Sequence, residues 1–308
     1  MNPSEETTDP KDSPQLSIIV ASLQPVGEVS NFLDALCPQR RGKEVEIIVS
    51  HGCANGRMEG LKEKHPEIIL VRPSGKTTLP NLWGKGIACS TGEIIALTES
   101  ACIPDKRWVQ AVLEAHESPH PVIGGAVEAA GLLHWVDWAA YFCEYGQFML
   151  PLREGAANEL PGNNVSFKRW ALEKGQEFVQ NGFWKTYWCR KLQEEGIDLM
   201  AWPSIVVSCH KSYRLVPFLV RRFHHGRCFA GMRMARASLI SRITYTLGSA
   251  ILPFLFTVRI FRAVLPKKRY RKEFIFSLPI SILAVLLWSI GEFWGYLAGT
   301  GNSCAHIY

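Results

Sequence analysis

Short apolar runs alternate with helical stretches through the first half of the chain. Each run is four to six residues long and rich in Val and Ile, and each gap leaves room for one helix. The predicted strands cover 16–21, 45–49, 68–71, 94–98 and 122–126, and the predicted helices cover 28–36, 58–64, 81–90 and 106–115. Buried strands that alternate with helices form a mostly parallel sheet, which binds ligands at the carboxyl ends of its strands. The pattern therefore predicts an α/β domain with its site at that edge.

Cap and turn residues predict where several elements begin and end. Pro80 lies near the start of the third helix, and Asp105 is a candidate N-cap for the fourth. Gly196 is expected to end a later helix. The remaining predicted elements are an aromatic amphipathic stretch over 134–150, a loop over 151–162, a short strand over 163–167, a helix over 183–195 and a last strand over 205–209.

Charge is distributed unevenly along the chain. Residues 1–204 hold 19 basic and 26 acidic side chains, whereas residues 205–308 hold 15 basic and two acidic ones. Those 15 cations all lie between Lys211 and Lys272, beside or between apolar runs, as is typical where a chain meets anionic lipid headgroups. A nucleic-acid binder usually mixes its cations with aromatic residues on a soluble fold. We therefore expect anionic membrane lipids, and no nucleic acid, as partners.

Two apolar segments follow the basic region. Residues 274–291 carry no charge, and the apolar stretch extends past Glu292 to 298, which is long enough to span a bilayer. Residues 243–258 are also uncharged, but Arg259 and Arg262 follow, so this segment is marginal. If both crossed, the basic residues 267–272 would lie on the side of the membrane opposite the α/β domain, against the preference of cations for the cytoplasmic side. A hairpin and an interfacial or re-entrant first segment both remain open, as does a pair of soluble core helices.

These features divide the chain into five parts. They are a disordered acidic N-terminus (1–15), an α/β domain (16–212), a basic amphipathic membrane-interface region (213–242), two hydrophobic membrane segments (243–299) and a tail (300–308). The N-terminus lacks the pattern of a signal peptide. The nine cysteines form no CxxC pair, so neither a disulfide framework nor a zinc site is expected. We accordingly expect the α/β domain to lie in the cytoplasm.

Glu99 stands directly after the fourth predicted strand. A carboxylate at the carboxyl end of a buried parallel strand is placed to hold a hard divalent cation against a diphosphate. A carboxylate there can also cap the following turn. Position alone leaves both readings open.

An ordered set of motifs resembles family 2 glycosyltransferases of the GT-A fold. The motifs are LSIIVAS at 16–22, VEIIVSHGC at 45–53, GIACSTGEIIALTESACIPDKRW at 86–108, VIGGAVE at 122–128, LPGNNVSFKRWAL at 160–172 and GFWKTYWCRKLQEEG at 182–196. HHGRCFAGMR at 224–233 and WSIGEFWGYLAG at 288–299 resemble the membrane-attached bacterial branch of that family. The resemblance implies transfer of a sugar from a nucleotide-sugar donor, with inversion and with Mn²⁺ or Mg²⁺ as cofactor.

The resemblance also implies roles for individual residues. A divalent cation stabilises the departing diphosphate, while a base takes the proton of the acceptor hydroxyl. The positions that match the family's site are Glu99 and His210 for the metal, Ser22, His51 and Arg227 for the donor, Asn163 and Asn164 for the acceptor, and Lys185 for the base, with Glu99 also counted as catalytic. His210 could equally be a structural histidine, Arg227 a headgroup contact, and Gly162-Asn163 a turn.

Three positions depart from the family's pattern. The acidic pair expected after the second strand is replaced by Ser50 and His51, and the second carboxylate of the metal motif is replaced by Ala101. Lys185 stands where an acidic base is expected, and a protonated amine cannot accept a proton. The prediction is therefore a glycosyltransferase at the cell membrane, with a cytoplasmic catalytic domain and a lipid-linked or polysaccharide acceptor of the cell envelope. The alternative is a catalytically impaired, glycosyltransferase-like membrane scaffold.

Overall fold

A computed structural model describes residues 13–52, 59–73, 77–174, 182–235 and 237–307. Most of the N-terminal segment predicted to be disordered, together with Cys53, Met58 and Tyr308, lies outside these residues.

A nine-stranded sheet forms the centre of the α/β region. Its strands are β1 (Leu16–Ser22), β2 (Val45–His51), β3 (Ile68–Val71), β4 (Ile94–Glu99), β5 (Cys102–Pro104), β6 (Val122–Ala129), β7 (Gly155–Ala157), β8 (Asn164–Lys168) and β9 (Leu199–Cys209). The order along the sheet is β3-β2-β1-β4-β8-β6-β9-β5, with β7 beside β9. Strands β3, β2, β1 and β4 are parallel, as are β6 and β9, whereas β8 pairs antiparallel with both β4 and β6.

Helices cover both faces of this sheet. They are α1 (Val26–Leu36), α2 (Glu59–Lys64), α3 (Leu79–Cys89), α4 (Trp108–His116), α5 (Trp135–Glu144), α6 (Arg169–Glu173) and α7 (Lys185–Glu194). Alternate side chains of β1 enter two separate cores: Ile18 packs with α1 and α4, and Ile19 packs with α3 and α7. This two-sided burial explains why the strands are apolar throughout rather than alternating.

The predicted α/β architecture is confirmed, with differences at the irregular parts. The three-residue strands β5 and β7 were not predicted, because neither has a recognisable period, and β9 begins six residues before its predicted start. Gly196 does end α7, with a positive φ of 81°. The N-cap prediction for Asp105 was wrong: α4 begins at Trp108, and the Asp105 carboxylate accepts a hydrogen bond from the backbone N–H of Arg107, in the preceding turn.

Four helices follow the sheet. They are α8 (Leu215–Arg233), α9 (Leu239–Gly248), α10 (Leu252–Val264) and α11 (Arg271–Ala298). Within the described residues, the helical stretches Leu239–Lys267 and Arg271–Ala298 are long and apolar enough to cross a membrane, by length and composition alone. Within the most apolar 18-residue window of each stretch, 11% of the first and 39% of the second is buried inside the protein. Helix α11 packs one face against α5 and α8, so it is partly a helix of the protein interior.

A disulfide joins Cys228 of α8 to Cys304 of the tail. No disulfide framework was expected, because the nine cysteines are scattered without a CxxC pair. The pair forms because the tail folds back on α8, where the rings of His224 and His306 stack with centroids 4.3 Å apart. Six other described cysteines are free.

Candidate functional site

A cavity of about 300 Å³ opens at the carboxyl ends of β1 and β4. These two strands are parallel neighbours, with Ala21 paired to Glu99, so the residues that follow them meet at one edge of the sheet. The segment after β9 and the first turns of α8 complete the walls. The sheet therefore creates a ligand cavity where the sequence pattern predicts one.

Glu99 forms a buried ion pair with Lys211 in this cavity. The Lys211 Nζ lies 2.5 Å from the Glu99 Oε2, and the two side chains are 13% and 9% exposed. The Nζ also donates to the Tyr145 hydroxyl at 3.1 Å. Burial lowers the pKa of Lys211, but Glu99 together with Tyr145, Tyr213 and Cys102 raises it well above its ordinary value. Lys211 is therefore a charged ammonium at neutral pH.

Ser22 and His51 lie on the same side of the site. Ser22 lines the cavity, and its hydroxyl accepts a hydrogen bond from that of Ser100 at 2.7 Å. His51 is buried behind it, where its Nε2 donates to the carbonyl oxygen of Gln24 at 2.9 Å. Burial lowers the pKa of His51, so the imidazole is neutral. Ser22 thus lies on the cavity wall, whereas His51 supports the loop that carries Gln24; the donor-binding role of both stays a prediction.

His210 does not line the cavity. Its backbone N–H donates to the Ala101 carbonyl at 2.9 Å, which sets its main chain beside the metal motif. Its exposed ring lies against Gly131, where an added Cβ atom would be 3.2 Å from the Nδ1. The structure places the ring beside the loop after β6, and its role as a metal ligand stays a prediction.

The residues of this cavity fit a divalent cation poorly. Glu99 is the one carboxylate among the residues that line it, and its oxygen already faces an ammonium group. Ala101 supplies no ligand atom, and the Ser22 and Ser100 hydroxyls bond to each other. Mg²⁺ and Mn²⁺ require several oxygen or nitrogen ligands with negative charge to spare. The metal expectation is not supported by this donor set.

A second, larger cavity of about 890 Å³ lies between the sheet region and the C-terminal helices. Seven basic and two acidic residues line it. The acidic ones are paired: Glu159 with Arg259, and Glu292 with Arg233 at 3.8 Å. Burial raises the pKa of Glu159, but the charges of Lys185 and Arg259 and the hydrogen bonds from Gln147 and Arg259 together lower it, so the carboxylate is ionised. An anionic ligand would match this electrostatic surface.

Lys185 is the first residue of α7 and lines this larger cavity. The side chain is buried, and its Nζ donates a hydrogen bond to the carbonyl oxygen of Leu160. An amine that donates to a carbonyl in this way is not positioned to take a proton from a hydroxyl. The structure gives Lys185 a role in fixing the loop before β8.

Asn163 and Asn164 are both buried in the sheet. The Asn164 amide donates to the carbonyls of Ala126 and Ile205 and accepts from the Trp108 indole at 2.8 Å. Asn163 donates to the Cys102 sulfur at 2.9 Å, and its Oδ1 has no partner among the described residues. The acceptor-binding role of both remains a prediction, which the geometry of Asn164 does not favour.

Arg227 lies on α8, away from both cavities. Its Nε donates to the carbonyl of Gly299 at 3.2 Å, so the side chain ties α8 to the end of α11. Its predicted contact with donor phosphates stays untested. The cations that do line the cavity at the carboxyl ends of β1 and β4 are Lys211, Arg214 and Arg221, which sequence reasoning did not select. Their one signal was the density of basic residues after the last strand.

No protein-family model matches the sequence, and no curated protein matches it as a relative. The fold is similar to that of PcManGT, a mannosyltransferase from Pyrobaculum calidifontis that was solved with GDP-Man and Mn²⁺. The TM-score is 0.60, and the two sequences are 16% identical over 95% of this chain and 91% of that one. It is also similar to GalNAc-T7, solved with UDP, GalNAc and Mn²⁺, with a TM-score of 0.50 and 10% identity over 65% of this chain and 44% of the other. The chain therefore has a GT-A-like glycosyltransferase fold.

Proposed function

We propose that this protein is a family 2 glycosyltransferase that moves a sugar from a nucleotide-sugar to a membrane-associated acceptor. The observation that carries the proposal is the pair of cavities in a GT-A-like fold. One cavity offers cationic and hydroxyl groups at the carboxyl ends of β1 and β4, as a nucleoside diphosphate requires. The other is larger, basic and bounded by the apolar C-terminal helices.

The proposed reaction is a direct displacement at the anomeric carbon, with inversion. The acceptor oxygen attacks that carbon while the bond to the diphosphate breaks and its electrons move to the phosphate oxygen. Positive charge beside the cleaving bond stabilises the leaving group. Glu99 contributes by holding the Lys211 ammonium at the end of β4.

A base must take the proton of the acceptor hydroxyl. Lys185 cannot do so, since its Nζ is a donor to Leu160. Glu159 lines the same cavity as an ionised carboxylate and is the better candidate. We therefore assign the base to Glu159 in place of the predicted Lys185.

The acceptor is proposed to be lipid-linked and negatively charged. Five of the seven cations in the large cavity are not ion-paired to its two acidic residues, so the cavity carries an excess of positive charge. The apolar helices α10 and α11 form part of its wall, which would bring a membrane-borne acceptor close to the sheet edge. We propose attachment at the cytoplasmic face of the cell membrane, where nucleotide-sugars are supplied; the apolar wall of this cavity supports the attachment.

A divalent cation, present in both structural neighbours, is the cofactor that the resemblance implies. Glu99 and His210 are the residues predicted to hold it, but the Lys211 ammonium already faces the Glu99 carboxylate, and His210 does not line the cavity. No step above depends on it, because the donor set fits it poorly.

Release of nucleoside diphosphate tests the proposal. The full chain in detergent, given UDP-, GDP- and dTDP-sugars with a bacterial lipid extract, should release diphosphate from one donor. Glu159→Gln should reduce the rate by about 100-fold or more, whereas Lys185→Met should keep most of it. Donor binding without any release in the wild type would instead favour the scaffold alternative. Loss in Lys185→Met with full activity in Glu159→Gln would reassign the base.

A further inference from the structure

The smaller cavity, at the carboxyl ends of β1 and β4, is the proposed donor site and is called the donor-side cavity below. Its side chains carry an unusual charge balance. Three basic residues line it, and Glu99 is the one acidic residue among the lining side chains. A nucleoside diphosphate carries several negative charges and needs a compensating positive group wherever it binds. The cavity already contains that positive charge in its own side chains.

The Lys211 ammonium lies where a cation would have to bind Glu99. At 2.5 Å from the carboxylate, in a largely buried position, it excludes a second cation from the same oxygen, because like charges repel strongly at short range. Removing the ammonium would break a buried ion pair, which is costly. Ala101 offers no replacement ligand.

Arg214 and Arg221 extend the positive surface beyond Lys211. The Arg221 guanidinium lies 4.6 Å from the Tyr213 ring centroid and 3.5 Å from the Glu144 carboxylate, which fixes its position. Arg214 is exposed and immediately precedes Leu215, the first residue of the 19-residue helix α8. The positive end of this helix dipole adds to the attraction for an anion.

We infer that Lys211, together with Arg214 and Arg221, supplies the positive charge that a divalent cation would supply at the diphosphate, so that donor binding is independent of metal. The inference rests on the proposed function and refines it. During transfer, the bond between the anomeric carbon and the diphosphate oxygen breaks, and the negative charge on that oxygen is balanced by the Lys211 ammonium. The bond to the acceptor oxygen forms, and Glu159 takes the proton.

Calorimetric titration with UDP, GDP and dTDP tests this inference. The detergent-solubilised full chain is titrated twice, once after EDTA treatment and once with added Mn²⁺. We expect the same dissociation constant in both conditions for whichever nucleotide binds. Lys211→Met should weaken metal-free binding by about 10- to 100-fold, the effect of losing one charge-assisted contact. Lys174→Met, which removes an exposed ammonium elsewhere, is the matched control and should bind as the wild type does.

A second variant separates loss of binding from loss of folding. Lys211→Met leaves Glu99 buried without its partner, so the double variant Lys211→Met with Glu99→Gln is titrated alongside it, with thermal unfolding of each. The double variant should also lose metal-free binding while unfolding near the wild-type temperature.

Three results would overturn the inference. Binding that requires Mn²⁺ would reject it and leave the proposed transferase intact. Unchanged metal-free binding in both Lys211 variants would reject the role of this lysine. Absence of binding to UDP, to GDP and to dTDP, with or without Mn²⁺, would reject the inference together with the proposed function.

Discussion

Asn164 joins three strands through one amide group. It lies at the start of β8, donates to carbonyl oxygens of β6 and β9, and accepts from the Trp108 indole of α4. All three partners are buried, so each broken bond would leave a polar atom without water to replace it. Asn164 thus holds β8 to β6 and β9, at the point in the sheet where the parallel strands β3, β2, β1 and β4 end.

Asn164→Ala should lower the free energy of unfolding by about 2–4 kcal/mol, because it removes buried hydrogen bonds and leaves their partners unsatisfied. Thermal or urea unfolding of the detergent-solubilised chain measures the change, with the exposed Asn158→Ala as control. If Asn164 instead binds the acceptor, its substitution would raise the KM for acceptor and leave the unfolding transition where it is.

Helices α8 and α11 pack with their backbones in close contact. Gly226 of α8 lies against the Trp288 carbonyl, where an added Cβ would be 2.1 Å from the oxygen. An added Cβ at Gly291 of α11 would be 2.2 Å from the Phe223 carbonyl oxygen, and one at Gly295 would be 2.5 Å from that of Arg227. Small residues on both helices allow this approach, which connects the apolar C-terminal region to the helix that begins at the donor-side cavity.

Gly291→Ala should therefore destabilise the packing of α11 on α8 by about 1–3 kcal/mol, since the methyl group has no space to occupy. The matched control is Gly248→Ala at the end of α9, where no atom lies within 4 Å of the added Cβ and φ is −62°. Thermal unfolding and limited proteolysis of the two variants measure the difference. Equal stability of both would show that the helices pack less closely than the structure indicates.

One side of the whole molecule is an exposed apolar surface. It is formed by the outer faces of α9, α10 and α11, with the large side chains Leu239, Ile240, Leu247, Phe254, Ile275 and Phe276 each at least 63% exposed. Of the exposed cations nearby, Lys268 lies between α10 and α11, and Arg271 and Lys272 are the first two residues of α11. Apolar faces of this size flanked by basic residues are typical of attachment to anionic membranes.

Membrane attachment through this surface predicts binding to vesicles of phosphatidylcholine and phosphatidylglycerol. Leu247→Asp should weaken cosedimentation several-fold, because it puts a charge in the apolar contact. Ile69→Asp is the control, since Ile69 is 41% exposed on the edge strand β3, away from the surface. Equal loss in both variants, or no binding by the wild type, would contradict the attachment.

Sequence periodicity correctly predicted the strands and helices whose formation depends mainly on residues adjacent in the sequence. The buried strands β1 to β4, the helices between them and the end of α7 at Gly196 all follow from local patterns of apolar and cap residues. The short strands β5 and β7 escaped prediction because pairing with β9, far along the chain, stabilises them. Glu99 was predicted as a residue of the site for the same reason, because its position directly after a predicted strand can be read from adjacent residues.

The chemistry of the site depended on contacts that only the tertiary structure provides. The order of the strands brings the segment after β9 beside β4, and this decides that Glu99 pairs with Lys211. Folding of the tail onto α8 likewise brings Cys228 to Cys304. The sequence by itself determined most of the secondary structure, the sheet edge at which the cavity opens, and the C-terminal region of basic residues and apolar segments, since these are properties of adjacent residues. Which charges neutralise one another was decided by the tertiary structure, because electrostatic interaction depends on distance in space and on burial, and neither is encoded by spacing along the chain.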